Sequence, residues 1–191
     1  MDRQQLKQEA KSLSDRASLL DLLNRLKRDN LGEKARLFKM KHLVYSSKPG
    51  CNSKSYHQFT IPKKSGGFRE ISAPSGILKS LQTHMAEILQ AVYEPTSSVT
   101  GFVKGRSVQN NAELHVGKNY VFNIDLKDFF SSISQARVWG ALQSGSIGFS
   151  KEVANAIAGT CCTLVPFCNG EPYTYDNEED DNHQIEFFKG L

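Results

Sequence analysis

The run Tyr120 to Ile124 is almost continuously apolar and ends in a carboxylate, Asp125, with Asp128 three residues further on. Such a run reads as a buried strand over Asn119 to Leu126, and a strand end is rigid enough to hold a metal ligand in fixed geometry. Nucleotidyl transfer is one chemistry that needs this placement. Two divalent ions must be clamped about 4 Å apart to activate a 3′-hydroxyl and to stabilise the leaving pyrophosphate. The plain alternative is an aspartate that caps the turn or the helix after it.

Cations stand upstream of that carboxylate. Lys63 and Lys64 lie with Ser65, Gly66 and Gly67 between two β-favouring runs, Tyr56 to Pro62 and Phe68 to Ser72, and Arg69 opens the second run. The pattern predicts a hairpin with a basic, glycine-rich tip, which could be a phosphate grip or simply a solubilising tip. Lys104 and Arg106, set among glycine and serine in the loop Gly101 to Ser107, suit contacts to a nucleic-acid backbone that fix register without reading sequence.

The remaining elements have to position these groups. Leu6, Leu13, Leu19, Leu22, Leu23 and Leu26 keep helical spacing and predict a helix over residues 3–28, with a second over about 32–46 that ends at the turn cluster Ser46 to Gly50. Ile77, Leu78, Leu81, Met85, Ile88, Leu89 and Val92 form an amphipathic helix stopped by Pro95. A short helix is expected up to about Val116, and two more between Gln135 and Cys162 around the Gly145 to Gly148 break. An acidic loop over 176–182 and a strand over 184–188 complete the reading.

Composition sets the outer bounds. With 39% hydrophobic and 23% charged residues in 191, the chain has the make-up of an ordinary globular protein, of one domain or one domain plus part of another. Residues 1–106 hold 19 Lys and Arg against 9 acids, and residues 107–191 hold 5 against 11, a polarity that suits an enzyme acting on nucleic acid. No apolar run approaches the roughly 20 residues of a membrane span and the amino terminus is polar, so a cytoplasmic location without membrane association is expected. Cys51, Cys161, Cys162 and Cys168 form no paired CxxC set, which favours reduced thiols over a zinc site or a disulfide framework.

Taken in order, the hairpin FTIPKKSGGFREISAP, the helix start GILKSLQ, the loop GFVKGRSVQNNAELH and the strand end NIDLKDFF resemble the first three blocks of reverse transcriptases. Within them NAELH, Asn111 to His115, looks like the Asn-Ala-x-x-His signature of bacterial retron enzymes. The likeness covers about residues 30–134. It implies an α+β fold, the fingers and partial palm of a right-hand polymerase behind a helical amino-terminal extension. The corresponding division is 1–50 for the extension, 51–118 for the fingers and 119–191 for an incomplete palm.

The resemblance also implies roles. Asp125 matches the first catalytic aspartate, a ligand of magnesium, and the main-chain carbonyl of Leu126 a further metal contact. Lys63 and Arg69 match the cations that grip the incoming triphosphate, for which a guanidinium that holds two oxygens at once and a point charge are suited. Phe130 matches the bulky side chain under the incoming sugar that excludes a 2′-hydroxyl. Lys64, Lys104 and Arg106 fall to the nucleic-acid backbone, and Asn111 and His115 to the structured RNA that primes retron synthesis. Asp128 is not expected to be catalytic, since its carboxylate would repel phosphate. The implied partners are a structured non-coding RNA as template and primer, a DNA product and deoxynucleoside triphosphates, with an effector protein and a part in antiviral defence as further expectations.

The closing residues Phe188 to Leu191 resemble the start of the block that continues Pro-Gln-Gly, and the later Tyr-x-Asp-Asp block is absent; Asp180 and Asp181 in NEEDDN precede the place where the family order puts it. One carboxylate cannot balance two divalent cations, so the expectation is an amino-terminal piece of an RNA-directed DNA polymerase, inactive by itself. Two other readings stay open: a non-catalytic module that holds structured RNA, and a hydrolase using Asp125 as nucleophile.

Overall fold

The computed structural model describes residues 1–48, 52–64, 66–126, 129–130, 132–164 and 185–186. Cys51, Ser65, Asp128, Cys168, the acidic stretch 176–182 and Phe188 to Leu191 lie outside the described residues.

Two short helices open the chain where one was expected. α1 (Arg3–Lys11) is capped by Asp2, whose carboxylate accepts from Gln5 N at 2.9 Å. α2 (Arg16–Leu31) starts afresh at Asp15, whose carboxylate accepts from Ser18 N while the Ser18 side chain returns to Asp15 N. This second capping box satisfies the free N–H groups of a new helix start and so breaks the predicted helix at residues 12–15. The leucine periodicity hides the break because Leu13, in the joint, is itself buried.

The helix predicted over 32–46 is confined to α3 (Met40–Ser47). Gly32 ends α2 at φ 83, and the segment after it is held by Asn24, whose side chain accepts from Phe38 N at 2.7 Å and donates to Phe38 O at 3.1 Å. That pair satisfies the backbone as a neighbouring strand would, so no helix is needed there. A 3₁₀ turn (Asn52–Ser55) leads into β1 (Tyr56–Pro62), which pairs antiparallel with β2 (Phe68–Pro74). α4 (Gly76–Val92), α5 (Val108–Glu113), α6 (Gln135–Gln143) and α7 (Lys151–Cys161) follow. A second two-stranded ladder joins β3 (Thr163–Leu164) to β4 (Ile185–Glu186).

The architecture is mixed helix and strand, with the core made by helices. α4 packs against α1, α2, α3 and α7, and α7 packs against α3 and α6. Leu19, Leu22, Leu23, Leu43, Leu81, Met85, Ile88, Val153 and Ile157 are fully buried at their centre. Each such side chain taken out of water contributes roughly 1.5–3 kcal/mol, which is what holds helices of 8 to 17 residues that would be marginal alone. Among the described residues no helix is long and apolar enough to cross a membrane.

The strand expected over Asn119 to Leu126 does not form. Residues 120–126 have no ladder partner among the described residues, and Tyr120 is 94% and Phe122 86% exposed. Each of the two described ladders is two-stranded, and the segment adds to the free edge of neither, so its backbone groups are left to water. Asp125 therefore stands on an exposed segment without regular structure rather than at a sheet edge.

Candidate nucleotide and nucleic-acid interface

The hairpin is fixed at its root and free at its tip. Ser75 ties the end of β2 to the chain before β1, with its N and Oγ both donating to Ser55 O at 2.8 and 3.0 Å. Gln82 on α4 donates through Nε2 to Tyr56 Oη at 3.1 Å and to Thr160 O at 2.9 Å, and the buried Asn52 donates to Gly159 O and Cys162 O, both at 3.2 Å. These two amides satisfy carbonyls at the end of α7 that have no partner within the helix. They also bind the hairpin root to the core. Burial keeps the Tyr56 phenol well above the usual tyrosine range.

At the tip, Lys63 N donates to Gly67 O at 3.0 Å and Gly66 N to Lys63 O at 3.1 Å. Gly66 and Gly67 both sit at positive φ, 87 and 80°, a conformation that side chains with a Cβ rarely adopt. Ile61 lies opposite Arg69 in the register, so alternation places His57, Phe59, Ile61, Arg69 and Ile71 on one face, and its continuation brings Lys63 to the side of Arg69. Lys63, Lys64 and Arg69 are exposed and have no ion pair among the described residues. The fold thus presents two cations together on one face of a braced ladder, with Lys64 beside them.

The second basic element is the loop between α4 and α5. Arg106 donates from Nη1 to Thr96 O and Val99 O, and Arg106 N closes a turn onto Val103 O at 3.1 Å with Gly105 at φ 82. Sequence reading placed Arg106 on a nucleic-acid backbone, whereas here that end of its guanidinium braces the loop. Lys104 is exposed in the turn. The loop borders a groove of about 880 Å³ shared with α1 and the end of α4, where Arg3 donates to Gln90 O and Tyr93 O and Lys7 pairs with Glu94. α5 begins at Ser107, which exchanges capping bonds with Asn110, and ends earlier than expected, passing into turns after Glu113. Asn111 on α5 and His115 just beyond it are both exposed.

Asp125 and Leu126 are exposed on the unpaired segment. Phe130 is half-buried and meets Phe129 edge-on at 5.4 Å. Among the described residues no group of three or more His, Cys, Asp or Glu could hold a metal ion. The described carboxylates do not by themselves fit a two-ion site, and no chemical step is derived through a metal from them.

Sequence reasoning missed the anchors of the site. Asn52, Tyr56 and Gln82 look unremarkable in a pattern search, because what marks them is burial of a polar group with its partners. Phe102, at φ 57 and 71% exposed, was also passed over; its flanking Gly101, Lys104 and Gly105 were the available signal.

Among the described residues Cys161, half-buried, and Cys162, buried, carry free thiols. Burial pushes both Cys161 and Cys162 up to about 12, so at pH 8 only about one thiol in ten thousand is ionised. Iodoacetamide at pH 8 should label both roughly a thousandfold more slowly in the folded chain than in denaturant, as read by peptide mass spectrometry. Equal rates would contradict this burial.

The profile of the family "Reverse transcriptase (RNA-dependent DNA polymerase)" matches residues 61–171, more than half of the chain, and the chain belongs to that family. It is 40% identical over 111 residues to the Retron Mx65 reverse transcriptase of Myxococcus xanthus and 36% identical over 110 residues to the Retron Ec86 reverse transcriptase of Escherichia coli. These matches take in 58% and 56% of the chain, and span 26% and 33% of the two relatives' lengths. No solved structure matches the chain.

Proposed function

We propose that the chain is the nucleotide- and template-gripping part of a retron-type RNA-directed DNA polymerase. The observation that carries this reading is the hairpin. Within a segment that matches reverse transcriptases, a ladder rooted in the core presents Lys63 and Arg69 toward one face, both exposed and without an acidic partner among the described residues. Two cations in that arrangement can hold a triphosphate, Arg69 by two oxygens and Lys63 as a point charge.

In this reading residues 51–118 act as fingers and residues from 119 onward as palm, behind the helical extension 1–50. Lys64 and Lys104 take the template backbone, Asn111 and His115 contact a structured non-coding RNA, and Arg106 acts by holding the loop. Asp125 and the Leu126 carbonyl contribute to a magnesium site, and Phe130 excludes the ribose 2′-hydroxyl. Substrates are deoxynucleoside triphosphates, the product is DNA, and the setting is the cytoplasm.

Salt dependence separates these roles. Binding of single-stranded RNA by the 191-residue chain should weaken steeply with salt, and Lys64→Ala and Lys104→Ala should each lower the slope of log K against log salt by about 0.7. Arg69→Ala, which removes a triphosphate contact, should leave the slope unchanged. Binding that ignores salt, or a slope unmoved by both lysine variants, would contradict the template grip.

A further inference from the structure

Among the described residues Phe102 is the one non-glycine with positive φ, 57°, and the residue is 71% exposed. The left-handed region is unfavourable for a bulky side chain, and an exposed ring forgoes the stabilisation of burial. Strain of this kind persists where the surroundings over-determine it and clusters at ligand clamps.

The surroundings here do over-determine it. Arg106 ties the loop to Thr96 O and Val99 O, and its own N–H closes the turn on Val103 O, with Gly105 supplying the second positive φ at 82°. Phe102 is thus carried by a braced loop and not by a loose one. Lys104, two residues on, is exposed in the same turn.

A rigid, solvent-facing aromatic ring next to a cation is the combination that holds unpaired nucleotides, the ring by stacking and the cation on the phosphate. We propose that Phe102 is a stacking platform for an unpaired base of a single-stranded nucleic acid whose neighbouring phosphate lies on Lys104. This rests on the reading of the loop as a template grip and adds to it the chemistry of the contact. Every base has a π-face, so the site tolerates any sequence and takes RNA or DNA.

Glycine accepts φ 57 without strain, so Phe102→Gly separates folding from binding. The probes are a single-stranded oligoadenylate and the same oligomer with abasic positions, titrated against the 191-residue chain. Phe102→Gly should melt at or above the wild-type temperature, bind oligoadenylate about tenfold more weakly, as loss of one base stack implies, and keep the wild-type salt slope. It should also lose most of the preference for the intact over the abasic oligomer. Phe102→Trp should bind within about twofold of wild type, and its added indole should be quenched on binding, beyond any change from Trp139 in the wild-type chain.

Wild-type affinity in Phe102→Gly, or an unquenched Phe102→Trp, overturns the stacking site. If Lys104→Ala still weakens binding in that case, the template grip stands without it. A wild-type chain that binds neither oligomer at low salt overturns both.

Discussion

Gly159→Ala should destabilise the fold by about 3 kcal/mol, lowering the melting temperature by roughly 6–12 °C for a chain of this size. A Cβ built on Gly159 would stand 2.1 Å from Ser47 O and 2.9 Å from Ser47 C. Both are backbone atoms at the end of α3, so no side-chain rotation can relieve the overlap, and α3 and α7 must separate. The same glycine's carbonyl accepts from Asn52, so the displacement reaches the amide that braces the hairpin root. Gly140 is the control. It lies exposed in α6 with nothing within 4 Å of its would-be Cβ, and Gly140→Ala should stabilise by about 0.5–1 kcal/mol. Thermal melts of the two variants should move in opposite directions, and equal shifts would contradict the close crossing of α3 and α7.

That glycine illustrates what a sequence conceals. A glycine within a helix reads as a weak point, and only the approach of a second backbone shows why alanine would be worse there. The helices of the core were legible because burial needs apolar groups on one face, and the stripe from Leu78 to Val92 could serve little else. The hairpin was legible for the same kind of reason, since glycines at positive φ and flanking alternation leave few other folds. The break between α1 and α2 was not, because the apolar period continues through Leu13 and the signal that wins, Asp15 with Ser18, is local and polar.

The segment Asn119 to Leu126 marks a different limit. Its apolar run correctly reports side chains suited to burial, but a strand also requires a partner edge, and that property belongs to another part of the fold. In the hairpin, the resemblance had paired Lys63 with Arg69, and the register sets Arg69 opposite Ile61, two residues before Lys63. For Arg106 composition shows a charge, and only geometry shows that its Nη1 also donates to Thr96 O and Val99 O.

Asp125 carries the largest expected effect on activity. A carboxylate that ligates the metal of nucleotidyl transfer acts on charge that develops in the transition state, and its amide isostere retains shape but not charge. Because Asp125 is exposed and has no hydrogen bond or ion pair among the described residues, Asp125→Asn should leave the melting temperature unchanged.

The decisive measurement is RNA-templated incorporation of a complementary deoxynucleotide by an enzyme that contains residues 1–191, with magnesium, for wild type and Asp125→Asn at equal RNA affinity. The rate should fall by at least about a thousandfold, close to 4 kcal/mol in the barrier. Undiminished synthesis by Asp125→Asn would contradict Asp125 as a metal ligand.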